Sequence, residues 1–341
     1  MIIKDKFYPV SKKLRFNKKD GEMKKIKYTA KIKRYNPETK ESYWQDFEVE
    51  VEDSLTVLEL LMHIKDKIDA SLTFRAFCRS AICGSCAMII NGRAGLACKI
   101  QAKDKIKNGV IKIEPLHHLP VVKDLVVDQE PAFEKFKKVK PYLVPDPKVV
   151  PDNNKVESLV LPEEFARYDK QTDCILCMAC YGQCNALEGD EKYLGPFQLT
   201  KVFRFIMDTR DGMDVEERIK LAEDHGIWEC VQCQMCLAAC PKGVKPGDDI
   251  LELRRIAKDI GEENIATRRA KFWFATVFET GQIDKWHLPE VAFGDEKGKA
   301  VTKKLEEEFR SRGMKEDEFG PKPFKDIKKF QNFIKKLEKE L

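Results

Sequence analysis

The sequence of 341 residues predicts an α+β protein, with a small domain of strands and one helix first, a helical domain next and a helical tail last. Three observations carry this reading. Two runs near the N-terminus alternate apolar with polar residues, the period of a strand with one buried face. Beyond residue 162 the periodic segments have helical spacing instead. Between the two lies a stretch rich in proline. The length suits two or three domains, since single domains typically run to about 100–200 residues.

The first strand covers residues 26–32, where Ile26, Tyr28, Ala30 and Ile32 alternate with lysines and Thr29. Asn36-Pro37 supplies a turn, and Tyr43, Phe47, Val49 and Val51 form the returning strand of a hairpin. Ser54 is the expected N-cap of an amphipathic helix through Val57, Leu58, Leu61, Ile64 and Ile68. Residues 87–90 read as a further strand, closed by the turn pair Asn91-Gly92. Pro141, Pro145, Pro147, Pro151 and Pro162 mark a linker. A helical segment follows over 196–225, and Asp248 and Asp249 start another through Leu251, Leu253 and Ile256. In the tail, Ile327, Phe330, Ile334, Leu337 and Leu341 share one helical face. The expected organisation is a basic arm (1–23), a strand-bearing domain (24–130), a linker (131–161), a helical domain (162–260) and a helical extension (261–341).

Composition narrows the class. With 62 basic and 57 acidic residues, the net charge of +5 gives no reason to expect a nucleic-acid partner. No stretch approaches the ~20 apolar residues of a membrane span, and the lysine-dense N-terminus has no apolar signal core. All twelve cysteines fall into three groups, at 78–98, 174–184 and 230–240. Disulfide frameworks belong mostly to small secreted domains, so tight groups in a long chain point to metal ligation.

Cys78, Cys83 and Cys86, followed by Cys98, reproduce the C-x4-C-x2-C…C spacing of plant-type 2Fe–2S ferredoxins. Gly84-Ser85 lets backbone N–H groups come close to cluster sulfurs. A zinc site is usually built from paired C-x2-C or Cys/His knuckles, which the four-residue gap does not match. The other two groups are both C-x2-C-x2-C-x3-C runs, Cys174-Cys177-Cys180-Cys184 and Cys230-Cys233-Cys236-Cys240 with Pro241. In such runs the fourth cysteine ligates the other cluster. That assigns Cys174, Cys177, Cys180 and Cys240 to one 4Fe–4S cluster and Cys184, Cys230, Cys233 and Cys236 to a second. The alternative for the second is a 3Fe–4S cluster that leaves Cys233 unused.

The wording of the first loop, 78–88 with Asn91-Gly92 and Leu96-Ala97-Cys98, is similar to that of the succinate dehydrogenase and fumarate reductase iron–sulfur subunits. Residues 115–125 resemble the segment that follows it, and the likeness extends over about 24–257. Ser80 and Ala81 stand where that family often has Glu-Gly, and neither is a ligand. The resemblance implies a β-grasp 2Fe–2S ferredoxin domain followed by an all-α bacterial ferredoxin-like domain. It implies an electron-transfer subunit of a succinate:quinone or quinol:fumarate oxidoreductase, with no catalytic residue and no dicarboxylate site in this chain. Partners implied are an FAD-containing flavoprotein, which alone holds the FAD, and a cysteine-rich or membrane-anchor subunit through which quinone is met. The implied location is peripheral on the cytoplasmic face of the inner membrane, or on the periplasmic face after co-export with a signal-bearing partner.

Departures from the family pattern carry information. The usual subunit has a non-cysteine residue at the position of Cys233 and a 3Fe–4S centre there. Its quinone-facing Pro-Ser pair, Trp and His are replaced by Asn185-Ala186, Glu188 and Val231. Two complete runs followed by Arg268-Arg269-Ala270 through Phe278 and Gly281 look like the heterodisulfide reductase iron–sulfur subunit, and E-type members of the family combine both traits. A thiol-dependent, heterodisulfide-linked fumarate reductase is therefore the alternative.

Other features have plainer readings. His117 and His118, beside a proline-flanked turn, are expected to be structural or interfacial rather than Rieske-type ligands. Residues 4–34 carry 13 basic against 3 acidic residues, which suits either a solvated arm or an anionic surface. The last helix is expected to pack on the body of the complex rather than lie on a membrane. Trp273, Phe274 and Trp286 are expected in cores or interfaces.

Overall fold

A computed structural model describes residues 25–146, 148, 158–261, 264–315 and 318–340. The basic arm and Leu341 therefore lie outside the described residues. Strands β1 (Lys25–Asn36) and β2 (Glu41–Glu52) form the expected antiparallel hairpin. Strands β3 (Ala87–Ile90), β4 (Arg93–Leu96) and β5 (Val110–Glu114) complete a sheet of order β2-β1-β5-β3-β4. β5 runs parallel to β1 and antiparallel to β3, so it inserts between the two hairpins. Helix α1 (Val57–Lys67) buries Val57, Leu58, Leu60, Leu61 and Ile64 in the core shared with Ala30, Ile32, Ile111 and Ile113.

The start of α1 differs from expectation. Thr56, not Ser54, is the N-cap: its hydroxyl accepts from Glu59 N at 3.2 Å, while Glu59 Oε2 accepts from Thr56 N at 2.7 Å. Thr56-x-x-Glu59 completes this reciprocal box, whereas the third residue after Ser54 is Val57, which has no side-chain acceptor.

Order also extends into the stretch read as linker. Helix α2 (Glu130–Lys137) buries Ala132, and Phe133 and Phe136 pack on the first core. Residues 140–146 are then tied to the helical half by Arg218, whose side chain is fully buried. Its guanidinium grips Asp211 at 2.7 and 3.0 Å and donates to the carbonyls of Lys140 and Tyr142 at 2.8 and 3.0 Å. Gly212 N donates to Val144 O at 2.7 Å.

The segment 196–225 is two helices, Pro196–Ile206 and Val215–Glu223. Asp208 breaks it: buried, it is bonded by the side chains of Arg204 and Arg210 and by the Arg210 backbone N–H, a local turn that competes with helix. The next helix, Pro246–Asp259, begins two residues before Asp248 because Pro246 pre-sets the helical φ at the first position. The tail forms helices Ile265–Thr280, Leu288–Phe293, Asp295–Ser311 and Ile327–Glu340. Trp286 is held edge-on between Phe309 and Phe319, and Gln331 bonds the Phe278 carbonyl, so the last helix packs within the tail. Phe274 is exposed and stacks on Phe278.

One ion-pair network holds the first domain's far end. Arg34, 4% exposed, bonds Asp124 at 2.8 Å, Asp69 at 2.7 Å, Gln45 at 2.6 Å and Ser71 at 2.9 Å. Arg34→Met leaves the Asp124 carboxylate buried without its partner and is expected to cost about 3–5 kcal/mol in chemical denaturation. Bonds from Ser71 and then Arg34 hold the Asp69 carboxyl down at about 2, against an ordinary 3.8. Because the folded value is depressed, its stabilisation is complete above about pH 4 and is lost as pH falls through about 2. Acid titration of the wild type, but not of Asp69→Asn, should show that loss.

Candidate cluster-binding sites

The first thiol set sits where the chain leaves α1 for β3. Left-handed backbone at Arg79 (φ 57°), Ala81 (φ 56°) and Gly84 (φ 77°) turns successive N–H groups inward. Cys78 Sγ accepts from the N–H groups of Ser80, Ile82 and Cys83 at 3.2–3.4 Å, and Cys98 Sγ accepts from Ala81 N at 3.2 Å. Cys98 thus closes the ring from the far end of β4. The Ser85 hydroxyl, 3.1 Å from Cys83 Sγ, is the main reason this thiol is pulled down to about 6, while burial pushes Cys86 up to about 12.

The helical half repeats one device twice. Leu176 and Met178 flank Cys177 with φ 53° and 61°; Gln232 and Gln234 flank Cys233 with φ 55° and 61°. A single helical turn follows each, Ala179–Gly182 and Met235–Ala239. Sequence reasoning did not anticipate these left-handed residues, because none is glycine or asparagine. The repeated spacing itself is the signal that could have found them.

Cys174, Cys177, Cys180 and Cys240 line one cavity, and Cys184, Cys230, Cys233 and Cys236 line another. Cys240 thus lies with the first three thiols of the 174–184 run, and Cys184 with the first three of the 230–240 run. Among the described residues no three His, Cys, Asp or Glu side chains are gathered tightly enough for a single metal ion. The thiols surround spaces instead. Burial pushes Cys177 up to about 11, Cys236 up to about 12 and Cys180 well above its ordinary value, with neighbouring thiols adding to each shift. Buried thiols whose neighbours oppose their ionisation favour cationic compensation, which bound iron would supply. The donor sets therefore fit clusters.

Tyr193 and Arg254 went unnoticed in the sequence, because an ordinary loop tyrosine and a helical arginine carry no spacing signal. The Tyr193 hydroxyl lies 3.8 Å from Cys184 Sγ, and Arg254 donates to the carbonyls of Ile227 and Cys230 at 2.8 and 2.7 Å. Val231, at a position where the sequence departs from the quinone-facing pattern, is 71% exposed and shares a cleft with Asn185, Ala186, Asp190 and Glu229. His117 and His118 lie by Glu114 and Glu188, 3.9 and 3.6 Å away.

Comparison with known proteins decides the family. The model for a 2Fe-2S iron-sulfur cluster binding domain matches residues 29–134, and that for a 4Fe-4S dicluster domain matches 170–244. The mitochondrial succinate dehydrogenase [ubiquinone] iron-sulfur subunit of Dictyostelium discoideum is 36% identical over 243 residues, 69% of this chain and 84% of that protein. The chain belongs to the succinate dehydrogenase/fumarate reductase iron–sulfur subunit family. The 8-methylmenaquinol:fumarate reductase iron-sulfur subunit of Wolinella succinogenes is 38% identical over 73% of this chain and 80% of its own length. A chain of the Mycobacterium smegmatis Sdh1 complex in the apo form superposes with TM-score 0.63 at 24% identity, covering 70% of this chain and 99% of that one, a likeness of fold. As a family member this chain is an oxidoreductase subunit with 2Fe–2S and 4Fe–4S domains.

The two halves meet at Gly84. A Cβ there would stand 2.8 Å from Cys177 Cβ and 3.0 Å from Cys177 Cα. Gly84→Ala is expected to force the first loop off the second and to accelerate bleaching of visible absorbance in urea several-fold. Gly109→Ala is the control: it has a similar φ of 76° but no atom within 4 Å, so it should cost only the left-handed strain, about 1 kcal/mol. Equal effects of the two would show that the close approach contributes nothing.

Proposed function

We propose that this chain relays electrons singly between an FAD-containing flavoprotein and a membrane-associated or cysteine-rich subunit, in interconversion of succinate and fumarate coupled to quinone or quinol. The observation that carries the reading is the contiguity of the three thiol sets. Gly84 of the first loop touches Cys177 of the second set, and Cys180 of the second set and Cys236 of the third are buried in one continuous core. Bound there, iron–sulfur clusters supply one-electron transfer.

In this reading Cys78, Cys83, Cys86 and Cys98 hold a 2Fe–2S cluster in the unit 24–130. The unit 162–260 holds a 4Fe–4S cluster on Cys174, Cys177, Cys180 and Cys240, and a second on Cys184, Cys230, Cys233 and Cys236. Residues 131–161 join the two units. The left-handed pair around Cys233, matching that around Cys177, supports its use as a ligand and so a fourth iron in place of a 3Fe–4S centre. No helix among the described residues is long and apolar enough to cross a membrane. In this reading the chain associates with the membrane surface through partners, on the cytoplasmic face, with the periplasmic face as alternative.

A thiol-linked fumarate reductase remains the second reading, favoured by the second complete cysteine run and by the exposure of Cys233. Assay of the purified complex with quinols and with thiols separates the two.

Three outcomes are expected. Cys83→Ser should abolish or reshape the 2Fe–2S resonance in electron paramagnetic resonance while leaving the other two centres largely intact; loss of all three together would count against separate ligand sets. Cys233→Ser should convert the third centre to one with an oxidised-state 3Fe–4S resonance, and the same resonance at full occupancy in the anaerobic wild type would refute the assignment. The chain without its flavoprotein should show no succinate oxidation with artificial acceptors, and turnover in a flavin-free preparation would overturn the division of labour.

A further inference from the structure

We infer that Tyr193 tunes the third centre: its buried hydroxyl donates a hydrogen bond to Cys184 Sγ and thereby raises that centre's reduction potential. The inference rests on the reading that Cys184, Cys230, Cys233 and Cys236 hold a cluster.

Tyr193 is fully buried and lines the same cavity as those four thiols. In the thiol form the Cys184 S–H donates to the Tyr193 hydroxyl oxygen at 3.8 Å. As a cluster ligand the sulfur is a thiolate with no proton, so the phenol becomes the donor across the same gap. The residue cannot easily turn away. Lys135 Nζ bonds its carbonyl at 2.9 Å from α2. Gly226, left-handed at φ 87°, packs so closely that a Cβ there would stand 3.0 Å from Tyr193 Cα and 3.3 Å from its ring. The peptide beyond is tied by Leu194 N to His225 O at 3.3 Å.

The thiol sets differ in what reaches their sulfurs. The first receives a net of backbone N–H bonds and the Ser85 hydroxyl. Among the described residues no side chain bonds a sulfur of the set Cys174, Cys177, Cys180 and Cys240; Cys240 takes a backbone bond from Val244 N at 3.3 Å. The third set has Tyr193. A donor aimed at a ligand sulfur stabilises the more electron-rich, reduced state over the oxidised one, which moves the potential up. One electron is gained and the phenol keeps its proton, so no co-reactant is needed. Tyr193 thus makes the third centre a better electron acceptor than it would otherwise be.

The test is Tyr193→Phe in the intact complex, which keeps the ring and removes the hydroxyl. Potentiometric titration followed by electron paramagnetic resonance should show the third centre's midpoint lowered. At the wild-type midpoint its reduced-to-oxidised ratio should fall at least threefold, about 28 mV at 59 mV per decade for one electron. The first and second centres should keep their midpoints. Electron–nuclear double resonance after exchange into deuterium oxide should show one slowly exchanging proton coupled to the third centre, absent in the variant. An unchanged midpoint, or equal shifts at all three centres, overturns the inference. If the variant does not assemble, site-specific 3-fluorotyrosine at position 193 strengthens the donor and should raise the midpoint; no rise overturns the inference equally. Absence of any third-centre signal in the unmodified complex is a separate failure, that of the ligand assignment itself.

Discussion

Left-handed backbone on both sides of a middle cysteine is the constraint on which the helical half depends. Without Leu176 and Met178, or Gln232 and Gln234, in that conformation, a C-x2-C-x2-C run would continue as helix or extended chain and its thiols would point apart. Such residues cost on the order of 1–3 kcal/mol each and persist only where surroundings over-determine them. Here the surroundings are the packed turns Ala179–Gly182 and Met235–Ala239 and the crossing of Cys184 and Cys240 between the sets. A metal-bound state would repay the remaining strain, because ligand binding to the folded form alone adds to stability.

The same constraint shapes the contact between the two halves. The core of the strand-bearing domain does not stop at its last strand but continues through Met178, Ala179, Cys180, Tyr181 and Phe197 to Cys236 and Ala239. Polar bonds cross at its rim, from Ala94 N to Gln183 Oε1 at 2.8 Å and from Lys99 Nζ to Pro241 O at 2.9 Å. Protein interiors of this density are stiff, so the spacing between thiol sets is fixed by packing rather than by the linker. The buried Arg218 tether on residues 140–146 removes further freedom from the connection. Were clusters held by these sets, the same packing would keep the gaps between them fixed.

Much of the architecture was legible in the sequence. Alternation in β1 and β2 and helical spacing in α1 are direct consequences of burying one face, and the cysteine spacings suggest ligand sets because loop geometry around a cluster tolerates few intervals. Local misreadings came where side chains compete for backbone bonds. Thr56 displaced Ser54 as cap because Glu59 answers it, Asp208 broke an apparently continuous helical segment, and Phe133 and Phe136 drew a helix out of an apparent linker.

The sequence by itself determined the family, the strand and helix types and the grouping of twelve thiols, since each is written in residue spacing along the chain. Only the tertiary structure decided that Gly84 touches Cys177, that Tyr193 faces Cys184 and that Arg218 clamps the connection. Those contacts join residues tens of positions apart, or residues whose local context is unremarked, and no period or motif encodes them. They follow from which faces remain to be buried once each local element has formed.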